Sequence, residues 1–345
     1  MSFSIRIDAD RQASSRSKGQ PAPGAEPTRI AVCMDGSELC ERVLPHAWAL
    51  ARACGLPVTL LTVLERERVA DAPPDPFEWE LRRHEARQYL TTVGERGRKE
   101  DLAIDVEVIE GEAAAEICAW DLHHDVSYTA LTTHGSSGAS PWCLAGTARK
   151  LVEGAPGSVL LVPSSASASG PVAKYRRIVV PLDGSPRAEA TLSVATRVAQ
   201  AHASELVLVH VVPLPELTEI GPPDAKDVEL RDRLTRRNER VASTYLDRIR
   251  GRLAGSHLKI GTRVLPAADP RDRFVEFLAD EEADLVVLSA HGRGERVHSP
   301  VGSFAAHLIH FSETPLLILR DRAGLPARNS WTTQEDVRLP SHAAP

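Results

Sequence analysis

Residues 29–38 of this chain read RIAVCMDGSE, and residues 177–186 read RIVVPLDGSP. A near-repeat 148 residues apart means that whatever the first half folds into, the second half must be able to fold into as well. At 345 residues the chain has room for two α/β cores, since domains run to roughly 100–200 residues each.

The repeat extends well past its first ten residues. Arg29 to Met34 is a short apolar run ended by Asp35-Gly36-Ser37, the form of a buried parallel strand closed by a turn. Leu39, Val43, Ala47, Leu50 and Ala51 then recur at helical spacing, with Ser37 or Gly36 placed to cap the start and Gly55 the stop. Val58–Leu64 reads as a second strand, about 77–98 as a charged helix, and 103–109 as a third strand. Helix, strand ending at Leu131-Thr132-Thr133, helix over about 147–153, and the strand SVLLVP at 158–163 complete the first unit. The second unit repeats this order through to PLLILR at 315–320. Alternation of this kind predicts two α/β domains of Rossmann-like or flavodoxin-like type, each a five-stranded, mainly parallel sheet with helices on both faces. The expected division is a disordered tail at 1–27, a domain at 28–163, a linker at 164–174, a domain at 175–320 and a disordered tail at 321–345.

Composition excludes several classes. A net charge of −6 gives no general attraction to nucleic acid or to an anionic membrane. The arginine-rich stretch 231–252 interleaves acids and carries a stripe of Leu230, Leu234, Val241, Tyr245 and Ile249, which predicts an amphipathic helix with a solvated face. No apolar run approaches the length of a membrane span, and the N-terminus lacks the apolar core of a secretory signal, so a cytoplasmic protein is expected. Five cysteines without a CxxC pair read as reduced thiols, and the neighbouring His123, His124 and Asp125 point in different directions on a helix, so no metal site is expected. GxxxxGK[ST], a GxGxxG after the first strand, and GxSxG are all missing.

Parallel sheets of this kind gather ligands beyond the carboxyl ends of their strands, where strand order reverses. There the two units place Asp35-Gly36-Ser37 with Thr132-Thr133-His134-Gly135, and Asp183-Gly184-Ser185 with Ser289-Ala290-His291-Gly292. Nine residues separate Gly292 from Gly302-Ser303, and ten separate Gly135 from Gly146-Thr147, each pair opening a helix. Glycine before a helix lets backbone N–H groups approach an anion closely. Read alone, Asp35 and Asp183 are also plain turn residues, and His134 and His291 plain structural ones.

These residues resemble the universal stress protein family, as a tandem pair over about 28–163 and 175–320. The resemblance implies ATP binding, with or without Mg2+, through Gly-x2-Gly-x9-Gly-Ser/Thr, in a protein that acts as a switch or sensor. It would place Leu182, Asp183, Gly184, Val211, Ser289, His291, Gly292, Gly302 and Ser303 around the nucleotide in the second unit. Met34, Asp35, Gly36, Val63, Thr132, Gly135, Gly146 and Thr147 would do so in the first. It also implies that SVLLVP and PLLILR dock the two units on each other, with a homodimer as a further assembly. The chain departs from the pattern where Ser289 and Thr132 replace the first glycine, and the first unit adds a residue and the bulky SPWCL stretch at 140–144. The second unit is therefore expected to be the better site. The alternatives are an interaction scaffold that has lost nucleotide, or a slow ATPase.

Overall fold

The computed structural model describes residues 29–65, 75–134, 146–166, 170–216, 224–293 and 300–320. Both tails, Gly135, Cys143 and the SPWCL stretch lie outside the described residues.

The first lobe runs β1 (Ile30–Cys33), α1 (Glu38–Glu41), α2 (Leu44–Cys54), β2 (Val58–Leu64), α3 (Pro76–Arg98), β3 (Ile104–Glu110), α4 (Ala113–His123), β4 (Tyr128–Thr132), α5 (Gly146–Gly154) and β5 (Ser158–Val162). The second runs β6 (Arg177–Pro181), α6 (Pro186–His202), β7 (Glu205–Pro213), α7 (Ala225–Arg252), β8 (Lys259–Ala267), α8 (Pro270–Asp280), β9 (Leu285–Ser289), α9 (Ser303–Phe311) and β10 (Leu316–Leu319). The strands make one ten-stranded sheet in the order β3-β2-β1-β4-β5-β10-β9-β6-β7-β8. Every pairing is parallel except the central one, where Leu316, Leu317 and Ile318 of β10 lie antiparallel to Leu161, Leu160 and Val159 of β5. The two lobes thus meet strand to strand through their last strands, and each strand hides the other's open edge.

Burial follows the apolar runs. Leu206, Val207, Leu208 and Val209 are all buried, because a parallel strand is covered on both faces. One face of the sheet packs α2, α3, α6 and α7 through residues such as Trp48, Leu90, Val198 and Leu246. The other packs α4, α5, α8 and α9 through Ile117, Leu151, Phe274 and Leu308. Both cores run across the two lobes, and α2 lies against α6.

Two expectations are corrected. The single helix expected after Asp35-Gly36-Ser37 breaks into α1 and α2, because Pro45 has no N–H to give and its ring opposes the carbonyl four residues back. On α7 the buried residues are Ala242, Leu246 and Ile249, whereas Leu230 and Val241 of the expected stripe are 48% and 58% exposed. Within the stretch expected to be a linker, the Ala173 N–H donates to Pro45 O, and Ala173 is buried.

Candidate functional site

In each lobe the strand order reverses between the first and fourth strands, β1 and β4 or β6 and β9, and the repeated residues converge at those two places. In the second lobe Leu182 is buried and tied in through both backbone groups: its N–H donates to Val209 O at 2.8 Å and its carbonyl lies 2.6 Å from His210 Nδ1. Gly184 sits at φ +78°, which a side chain would strain, so the chain turns there and Ser185 caps α6 by accepting from Ala188 N.

That turn fixes the Asp183 carboxylate. One oxygen accepts from Ser185 N at 2.9 Å and the other from Arg293 N at 2.7 Å, so Asp183 ties the first strand's turn to the loop after the fourth. Burial pushes its pKa up, but hydrogen bonds from the Ser185 hydroxyl and from the N–H groups of Ser185 and Arg293 outweigh it, and the carboxyl is held below its usual range. A Cβ on Gly292 would lie 2.4 Å from that carboxylate, so only glycine fits.

The loop after β9 is shaped by its departure from the glycine pattern. Ser289 Oγ donates to His291 O at 2.6 Å, so the hydroxyl that replaces hydrogen is spent on its own loop. Gly302 N donates to Ala290 O at 2.8 Å, and a Cβ on Gly302 would lie 3.2 Å from that oxygen. Gly302 is the N-cap of α9 without a side-chain cap, which leaves the first N–H groups of the helix aimed outward with the positive end of its dipole. Asp183, Val211, Ser289, His291, Gly292, Gly302 and Ser303 line a cavity of about 310 Å³, with the apolar Pro270 and Phe304 also in its wall.

The first lobe repeats the plan with differences. Thr62 Oγ1 donates to Met34 O at 2.9 Å, where His210 stands in the second lobe. Gly36 is at φ +81°, and Asp35 Oδ1 accepts from Ser37 N and Oγ. Thr132 Oγ1 donates to His134 O at 2.7 Å, the counterpart of the Ser289 bond. Met34, Asp35, Gly36, Val63, Thr132 and Thr147 line a cavity of about 700 Å³. Gly146 opens α5 with nothing within 4 Å of where its Cβ would stand, unlike Gly302. His134 is buried, and its Nδ1 lies within 3.2 Å of both the Thr133 and Ser164 hydroxyls, a structural knot.

Sequence reasoning did not single out Arg293 and His210. Arg293 occupies an unspecified position of the glycine pattern, yet it lines the cavity and its guanidinium lies over Gly184. The signal for His210 was a polar residue inside an otherwise apolar strand. Among the described residues no three metal-ligating side chains converge, and Cys33, Cys40, Cys54 and Cys118 are free thiols. Among them too, no helix is long and apolar enough to cross a membrane.

A model of the universal stress protein family matches the chain twice, over residues 27–163 and 174–320. A universal stress protein of Mycobacterium bovis is 24% identical over 307 residues, covering 84% of this chain and 96% of the relative. One from Methanocaldococcus jannaschii is 26% identical over 146 residues, or 42% of this chain and 82% of the relative. Among solved structures, a universal stress protein from Archaeoglobus fulgidus superposes with a TM-score of 0.60 at 18% identity, covering 85% of this chain and 98% of that one. The chain therefore belongs to the universal stress protein family, with two family units in tandem.

Proposed function

We propose that this protein is a stress-response switch that binds an adenine nucleotide, ATP foremost, and that the second lobe is its better site. The observation that carries the reading is the convergence of a held carboxylate and an open helix N-terminus on one cavity. Asp183 and the uncapped start of α9 at Gly302 and Ser303 both line it. Its volume of about 310 Å³ is at the small end of the roughly 300–1,000 Å³ usual for ligand pockets. The close approaches at Gly292 and Gly302 are to the Asp183 carboxylate and to Ala290 O, and they fix the loop whose N–H groups, with those of the helix start, would meet an anion.

In this reading the N–H groups at the start of α9 and along the Gly292 loop hold the phosphates, the Asp183 carboxylate accepts from the ribose hydroxyls, and Val211 lies along the base. A Mg2+ ion, if taken up, would be held mainly by the phosphates and water. Binding rather than turnover is the function inferred.

Calorimetric titration of the full chain with ATP tests this. Binding should be seen, and it should weaken by about tenfold or more in Asp183→Ala, which loses an acceptor for the ribose hydroxyls, and in Gly302→Val, whose side chain presses on Ala290 O and displaces the start of α9. No heat and no thermal shift at millimolar ATP with the fold intact would overturn it in favour of an interaction scaffold. Phosphate release that Asp183→Ala abolishes would convert it to a slow ATPase.

A further inference from the structure

The described residues that line the two cavities differ in charge. Among the described residues of the second lobe, Arg293 is the cationic side chain at the cavity wall, with its guanidinium nitrogen 3.2 Å from where a Gly184 Cβ would stand. Its backbone N–H is committed to Asp183, but its guanidinium has no hydrogen bond or ion pair to a described residue. A guanidinium is a strong, forked donor, and with no bond to a described residue it remains available to an incoming anion. In the first lobe the residue after Gly135 is Ser136, and the cavity wall carries Asp35, Glu65 and Glu85 against Arg82, which is bonded to Glu78.

We propose that the Arg293 side chain determines ligand charge at the second site, selecting nucleoside polyphosphates over the uncharged nucleoside. This rests on the adenine-nucleotide reading above and adds to it the group that discriminates by phosphate. The side chain is separable from the loop it grows from, because the bond that shapes the loop uses Arg293 N, which any substitution other than proline preserves.

The experiment is calorimetric titration of the full chain and its R293Q and R293K variants with ATP and with adenosine, each at low and high salt. R293Q should weaken ATP by about 10- to 100-fold, the scale of one charge-assisted contact, while adenosine changes by less than about twofold. R293K should recover part of the loss, and the salt dependence of ATP binding should fall in R293Q. If ATP binds the parent chain and R293Q leaves the ratio of ATP to adenosine affinity unchanged, the inference fails and the nucleotide reading stands. If R293Q weakens both ligands equally, Arg293 is structural and the inference also fails. If the parent chain binds neither, the nucleotide reading fails and takes this inference with it.

Discussion

Asp121 shows what a single residue contributes beyond the site. It sits on α4, 1% exposed, with Oδ2 accepting from Thr129 Oγ1 at 2.6 Å and Oδ1 buried without a partner. Burial outweighs the Thr129 hydrogen bond and pushes its pKa from 3.8 up to about 7. A carboxyl that binds its proton more tightly folded than unfolded contributes stability that is complete below about pH 4 and is lost as pH rises through about 7. Asp121→Asn should therefore flatten the stability profile between those limits by a few kcal/mol, as read by urea unfolding at a series of pH values. An unchanged slope would contradict it. Residues of this kind were not legible in the sequence, because nothing in AWDLHH marks Asp121 as the one acid of its helix turned inward. Asp183 and Gly184 were legible because the repeat displayed them twice, whereas Arg293 was hidden by having no counterpart in the first lobe.

At the scale of elements, strands were read within a residue or two, because buried parallel strands are continuous apolar runs that turn residues punctuate. Helix faces were harder. On α7 the expected stripe included Val241, while the structure buries its neighbour Ala242, because packing against β7 and β8 and not apolar content sets which face turns inward. Pro45 was a visible breaker inside the helix expected after Ser37, and the apolar spacing on either side of it concealed the join. The caps carry the site's precision: Ser185 Oγ holds Ala188 N at 3.2 Å and also supports the Asp183 carboxylate. Ser185→Ala should cost about 1 kcal/mol of stability by thermal unfolding, the usual worth of an N-cap, and should raise the Asp183 pKa. A variant as stable as the parent would show that α6 does not depend on this cap.

Across the whole molecule, the antiparallel seam of β5 and β10 makes two lobes into one sheet, and both cores cross it. Arg320, just past β10, extends the join: its guanidinium donates to Ala155 O and to Val152 O around the end of α5. The helix that opens at the first lobe's cavity is thus held at its far end by the second lobe. Arg320→Ala should speed amide hydrogen exchange around residues 152–157 while leaving α9 protected; equal rates there would mean that the seam holds α5 without it. Whether the second lobe's strand-switch cavity takes a nucleotide, as proposed, is decided by a crystal structure of the chain grown with ATP and Mg2+. Phosphates should lie against Gly302 and Ser303 with the ribose at Asp183; a well-ordered cavity holding no nucleotide at saturating ATP would overturn the proposal.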